Sequence, residues 1–231
     1  MDGAHPVTPA IRLAALDMAG TMVSDDGVVE RAFHRALADV GGTDGSPVGD
    51  PEDFVRRTMG QSKIAVFTEL FAGDATKAGR ANAAFEAAYD DAVDRGQVVP
   101  LPGATRTMAD LRAAGVRVCL TTGFAPATRQ RILDALGWTG SVDLALSPAD
   151  AGRGRPWPDM ILTAVIRLEI EDVRQVAVAG DTTSDLLAGW RAGAGIVAGV
   201  LTGAHGRPEF ETVPHTHILE SVADLSGLVV S

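Results

Sequence analysis

Five short apolar runs, most of them separated by a segment with helical spacing, constrain the fold more than any other feature of this chain. They are Ile11–Leu16, Val116–Leu120, Val142–Leu146, Val176–Ala179 and Ile196–Val200. Runs this short and this uniformly apolar suit strands buried on both faces, as in a parallel sheet with helices on either side. Between the later runs the apolar residues recur at helical spacing, which predicts helices near Thr105–Ala114, Ala127–Leu136, Met160–Leu168 and Asp185–Ala192. Strand–helix–strand units of this kind cross over in the right-handed sense, so the pattern predicts an α/β fold on a doubly wound parallel sheet.

The long gap after the first run is filled differently. Val29, Phe33, Ala36, Leu37 and Val40 mark one helix, which Gly41-Gly42 ends. Phe54, Val55 and Met59 mark a second, broken at Gly60; Ile64, Phe67, Leu70 and Phe71 mark a third; the Ala-rich stretch Ala81–Val93 makes a fourth. No strand pattern appears there. The organisation expected is a core of residues 1–26 and 98–231 interrupted by an all-helical cap at 27–97, with hinges at Asp25–Gly27 and Arg95–Gln97. A chain of 231 residues is long enough for one such domain with an insertion.

Charge narrows the partners. The net charge is −10, and no Lys/Arg run supplies the basic face that nucleic acids or anionic membrane surfaces require. No apolar stretch is long enough to span a bilayer, and the first residues lack the basic-then-apolar order of a signal peptide. The single cysteine, Cys119, lies inside an apolar run and is read as a small buried hydrophobe. A cytoplasmic setting is expected. His5 falls in a terminal tail; His205, His215 and His217 form no metal-ligand constellation and are read as solvated loop residues.

Four polar patterns stand at the carboxyl ends of strands or just beyond them, where ligands collect in open parallel sheets. Asp17-Met18-Ala19-Gly20-Thr21 follows the first run, and Gly20 permits a tight turn with exposed N–H groups. Thr122, followed by Gly123, closes the second run. Arg155 lies between Gly154 and Pro156 on a stiffened loop and offers a permanent cation. Gly180-Asp181-Thr182-Thr183-Ser184-Asp185 places two carboxylates four apart at a helix start, hard oxygen donors of the kind Mg²⁺ takes. Taken singly, each has an ordinary structural explanation: a turn, a helix cap, a solvated arginine.

Together and in this order the four patterns resemble the haloacid dehalogenase-like hydrolase superfamily, over essentially the whole chain. The resemblance implies a Rossmann-like core with an inserted helical cap. It implies Asp17 as a nucleophile that becomes phosphorylated, and Mg²⁺ held by Asp17, the Ala19 carbonyl, Asp181 and Asp185. Thr122 and Gly123 would cradle the phosphoryl group, with Gly20 and Thr21 beside it, and Arg155 would shield its charge. Most phosphatases of the superfamily carry an Asp two residues after the nucleophile as general acid and base; Ala19 can do neither.

Asp17-x-Ala19-Gly20-Thr21 resembles the phosphonoacetaldehyde hydrolase branch, as do Thr121-Thr122-Gly123-Phe124, Gly180–Asp185 and Met59-Gly60-Gln61-Ser62-Lys63. That branch implies a Schiff base on Lys63, with Met59, Gly60 and Phe124 near the substrate and caps that meet across a homodimer. Phe124 stands where the branch carries Tyr, and Met22–Asp26 lacks its cysteine. Two enzymatic readings stay open: cleavage of the C–P bond of phosphonoacetaldehyde or a related carbonyl phosphonate, or hydrolysis of a small phosphate ester. A non-catalytic binding protein is the third, disfavoured by the joint presence of Asp17, Thr122, Arg155, Asp181 and Asp185.

Overall fold

The structure, a computed structural model, describes residues 9–24, 26–43 and 46–230; His5 and Asp25 lie outside the described residues. In chain order the elements are β1 (Leu13–Asp17), β2 (Val23–Ser24), α1 (Val28–Asp39), α2 (Pro51–Arg57), α3 (Lys63–Leu70), α4 (Ala75–Asp94) and β3 (Val99–Pro100). There follow α5 (Ala104–Ala113), β4 (Arg117–Thr121), α6 (Pro126–Ala135), β5 (Leu144–Leu146), α7 (Pro148–Ala151), α8 (Asp159–Arg167), β6 (Val176–Gly180), α9 (Thr183–Ala192), β7 (Ile196–Val200), α10 (Arg207–Phe210), β8 (His217–Leu219) and α11 (Leu225–Val229). No helix among the described residues is long and apolar enough to cross a membrane.

Six strands form one parallel sheet in the order β5-β4-β1-β6-β7-β8. The chain therefore winds outward from β1 in one direction through β4 and β5, and in the other through β6, β7 and β8. That reversal opens a crevice at the carboxyl ends of β4, β1 and β6. In β1 alternate residues take opposite sides. Leu13 and Ala15 pack with Met160, Ile161 and Ala164 of α8 and Ala188 of α9. Ala14 and Leu16 belong to the larger core with Met108 and Leu111 of α5. Cys119 is fully buried within the first of these clusters, and burial pushes its thiol up to about 12.

β2 and β3 pair antiparallel as a two-stranded ribbon, and α1–α4 occupy the segment between them. Neither strand was expected, because two residues cannot show a period. β8 was not expected either, so His217 lies in a strand rather than a loop. Its three residues are half-buried at the sheet edge, too short to stand out as an apolar run. The inserted helices hold together through aromatic packing. Phe33 of α1 meets Phe67 of α3 at 4.7 Å and Phe85 of α4 at 5.1 Å between ring centroids. Tyr89 of α4 lies 4.3 Å from Phe124, which belongs to the loop after β4, so the cluster runs from the insertion into the core.

Phe67 is fully buried at the centre of that cluster. Phe67→Ala is expected to lower unfolding stability by about 3–5 kcal/mol, the cost of deleting a buried ring and leaving its cavity. Urea denaturation measures it as a fall in midpoint with little change in slope.

Candidate active site

Asp17 is the last residue of β1, so its carboxylate leaves the sheet at the crevice. Asp181 follows β6 directly, and Asp185 lies in the first turn of α9. Each of the three offers an oxygen within 4.8 Å of the others'. Arg155, on the loop between α7 and α8, donates from Nη1 to both Asp17 Oδ1 and Asp185 Oδ1. All four side chains are buried, none more than 6% exposed.

Backbone and hydroxyl groups hold the Asp181 carboxylate and the second oxygen of Asp185. Asp181 Oδ2 accepts the Ala204 N–H at 2.7 Å, and the Thr21 hydroxyl donates to Asp181 Oδ1 at 3.4 Å. Asp185 Oδ2 accepts the N–H of Thr182 at 3.1 Å and its hydroxyl at 2.5 Å, the reciprocal capping of α9. Gly20 adopts φ +83°, and a β-carbon there or at Gly203 would run into the Asp181 carboxylate.

Three carboxylates around one guanidinium leave a shortage of positive charge. Burial pushes the Asp17 carboxyl well above the usual carboxylate range; Arg155 opposes this, while Asp185 and Asp181 add to it. Burial likewise lifts Asp181 to about 6, with Asp185 adding to the rise. For Arg155 burial works against the charge, but Asp17 and Asp185 outweigh it and hold the guanidinium proton more tightly than usual. A cluster of hard oxygen donors, crowded, buried and under-neutralised, fits a divalent cation such as Mg²⁺.

A cavity of about 40 Å³ lies over this cluster. Its lining includes Asp17, Ala19, Thr122, Gly123, Phe124, Arg155 and Asp181 from the core and Met59, Gly60 and Lys63 from the insertion. Of the residues expected at the site, Gly20 lines a neighbouring cleft of about 410 Å³ that shares Ala19, Met59 and Asp181 with the cavity. Thr21 lies behind it, fully buried against Asp181. The Thr122 hydroxyl accepts the Phe124 N–H at 3.2 Å, which fixes its rotamer at the cavity wall.

Close backbone contact explains how the insertion reaches the site. The Lys63 N–H donates to the Gly123 carbonyl at 3.3 Å. A β-carbon on Gly123 would strike the Gln61 carbonyl, and one on Gly60, at φ +79°, would come within 2.5 Å of the Thr182 hydroxyl. Glycines on both sides of the seam thus let the turn before α3 settle on the core. Lys63 begins α3, is only 5% exposed, and its Nζ lies 5.7 Å from the ring centroids of Phe33 and Phe85 and 5.8 Å from that of Phe124.

Several residues here were not singled out from sequence. Thr182 was visible in principle, since Thr182-x-x-Asp185 has capping-box spacing. Phe33 was read only as one of the apolar residues that mark a helix, and Phe85 and the loop Thr202–His205 carry no local signal of a place here. That loop also corrects the reading of His205 as solvated: its Nδ1 accepts the Thr183 N–H at 3.1 Å.

Comparison with known proteins agrees with this geometry. A family model described as haloacid dehalogenase-like hydrolase matches residues 11–193. The chain is 28% identical over 221 residues to "Probable phosphatase IndB" of Dickeya dadantii, covering 93% of this chain and 92% of that one. It is 36% identical over 109 residues to the phosphonoacetaldehyde hydrolase of Parabacteroides distasonis, a match spanning 46% of this chain and 40% of the relative. Among solved structures, a phosphonoacetaldehyde hydrolase-like protein from Oleispira antarctica superposes with a TM-score of 0.80 at 20% identity, over 99% of this chain and 95% of that one. A parallel sheet with an acidic crevice at its switch point, matched by a family model over most of its length, makes this chain a member of the haloacid dehalogenase-like hydrolases.

Proposed function

We propose that this hydrolase cleaves the C–P bond of phosphonoacetaldehyde or a closely related carbonyl phosphonate, with Mg²⁺ as cofactor. The observation that carries the reading is the shared cavity: the Lys63 amine lines it together with Asp17, while the position where a general acid would stand is Ala19. A lysine without a second carboxylate suits a reaction whose leaving group is carbon, because an imine can take the electron pair that no acid could usefully protonate.

In this scheme the Lys63 amine condenses with the aldehyde and water leaves. Asp17 attacks phosphorus, the C–P electron pair moves into the iminium, and an enamine remains on Lys63. Water then releases phosphate from Asp17, and protonation and hydrolysis of the enamine free the aldehyde product. Arg155 and the Thr122 hydroxyl lower the charge repulsion between the Asp17 carboxylate and the phosphoryl oxygens. Asp17, Asp181, Asp185 and the Ala19 carbonyl would hold Mg²⁺, which when bound supplies further neutralisation of the phosphoryl charge. The partial match to phosphonoacetaldehyde hydrolases supports the reading, though the chain spans about two fifths of their length.

The second reading, hydrolysis of a small phosphate ester, is favoured by the near full-length likeness to "Probable phosphatase IndB". A turnover screen separates the two. Phosphonoacetaldehyde is expected to turn over, chelation by EDTA to abolish the activity, and Lys63→Ala to reduce kcat by about 10²–10⁴, the usual worth of such a group. Turnover of phosphate esters alone, undiminished in Lys63→Ala, would overturn the C–P assignment.

The charge shortage yields an independent expectation. In the presence of EDTA, Arg155→Met removes the cation that pairs Asp17 and Asp185 and is expected to cost about 3–5 kcal/mol of unfolding stability near neutral pH. Asp17 and Asp181 both bind protons more tightly folded than unfolded, so acidification favours the folded state, more so once Arg155 is gone. The deficit should therefore shrink as pH falls from about 7 towards 5, and Mg²⁺ should restore part of it at neutral pH. Thermal unfolding across pH, with and without Mg²⁺, measures both.

A further inference from the structure

The loop after β7, Thr202–His205, touches both of the turns that carry candidate metal ligands at the ends of β1 and β6. On the β6 side the Ala204 N–H holds Asp181 Oδ2 at 2.7 Å, and the His205 N–H donates to the Asp181 carbonyl at 3.1 Å. His205 Nδ1 then accepts the Thr183 N–H at the start of α9. On the β1 side the Thr202 hydroxyl donates to the Gly20 carbonyl at 2.7 Å. One short loop thus ties the turn after Asp17 to the turn that presents Asp181.

Gly20 needs such a hold. Its φ of +83° lies in the left-handed region, and a residue without a β-carbon turns more freely than any other. The peptide on its amino side is fixed by the Gly20 N–H, which donates to the Val23 carbonyl at 2.8 Å. A trans peptide points its N–H and its C=O in opposite directions, so this bond aims the Ala19 carbonyl away from Val23. The peptide on the carboxyl side is fixed by Thr202 at its carbonyl, while its N–H, that of Thr21, reaches the Met18 carbonyl at 3.3 Å. Of those two bonds the one from Thr202 is the shorter.

Resting on the Mg²⁺ reading above, we infer that Thr202 is a positioning residue for the cation. Its hydroxyl locks the Gly20 turn, so that the Ala19 carbonyl is held in register with the Asp181 carboxylate that the same loop grips. Mg²⁺ demands a near-ideal octahedron of oxygens, and a carbonyl free to swing about Gly20 meets that demand poorly. Groups that orient metal ligands from behind typically carry about 10–100-fold in metal affinity. A hydroxyl that merely satisfied the carbonyl of a tight turn would affect folding alone.

Unfolding temperature followed against Mg²⁺ concentration, from an EDTA-treated start, separates these two roles in wild type, Thr202→Val, Thr202→Ala and Thr202→Ser. Binding to the folded state raises the unfolding temperature once Mg²⁺ exceeds its dissociation constant, whatever the stability of the metal-free protein. In Thr202→Val and Thr202→Ala that concentration should rise about tenfold or more, and Thr202→Ser, which keeps the hydroxyl, should recover most of the affinity. Thr202→Ala serves should Thr202→Val fail to fold. The comparison variant is Thr216→Val: the Thr216 hydroxyl donates to the Val197 carbonyl of β7 at 3.0 Å, outside the site. It should lower the metal-free unfolding temperature and leave the Mg²⁺ response in place. Unchanged affinity in Thr202→Val or Thr202→Ala overturns the inference, even where stability falls. So does an equal loss in Thr216→Val, or a Thr202→Ser as weak as Thr202→Ala. A wild type whose unfolding temperature ignores Mg²⁺ removes the cofactor reading itself.

Discussion

The guanidinium of Arg155 lies between Asp17 and Asp185, and the geometry of two neighbouring strand ends depends on that contact. β1 and β6 are hydrogen-bonded neighbours, so Asp17 and the Gly180–Asp185 loop leave the sheet side by side. Without a cation their carboxylates would repel one another in a setting too dry to screen them. Arg155 neutralises part of that charge and the Ala204 N–H and Thr21 hydroxyl absorb a little more. What remains is a deficit, and it adds to burial in raising the proton affinities of Asp17 and Asp181. A protein keeps such an arrangement at a cost in stability, which is why an acidic crevice of this kind points to cation and phosphoryl chemistry rather than to packing.

The second constraint is steric. The insertion reaches the core where glycine backbones meet it: Gly60 against Thr182, Gly123 against Gln61. Contact at backbone distance brings the start of α3 to the edge of the crevice, and the aromatic cluster then encloses the side chain that projects from it. Polar contacts farther along the same seam hold α4 against α6, among them Thr128 with Asp90 and Arg131 with Asp94 at 2.8 Å. A single β-carbon at either glycine would disturb Lys63 without touching any group that reacts.

Most of the core was legible in the sequence because its signals are local. β7 spans Ile196–Val200 as read, and the other buried strands differ by no more than two residues at either end. Ile11 and Arg12 fall outside the β1 ladder, although Arg12 continues the backbone pairing with a 2.7 Å bond to the Gln175 carbonyl. Asp17, Thr122, Asp181 and Asp185 were legible for the same reason, each following a strand closely enough for its place at the crevice to be inferred, whereas Arg155, beyond α7, was read from its proline-flanked loop and the order of the motifs. What surrounds Lys63 was not. Phe33 and Phe85 come from two helices, and only the packing of α1 and α4 on the loop after β4 brings them to Phe124, which the resemblance alone had placed near the substrate. β2 and β3 were illegible for a related reason, since a two-residue strand exists only through its partner.

Ala19 joins these strands of argument. A carboxylate at that position would line the same cavity as Asp17 and Asp181 and add a fourth negative charge to a site already short of cations. The site instead divides its labour by polarity. Its floor, at the strand ends, is charged; its roof, in the insertion, is aromatic around one amine. Under the proposed reaction this division keeps the imine chemistry of Lys63 apart from the carboxylates at the strand ends. A substrate that joins a phosphoryl group to a carbonyl carbon across one short linker would present each end to the half suited to it.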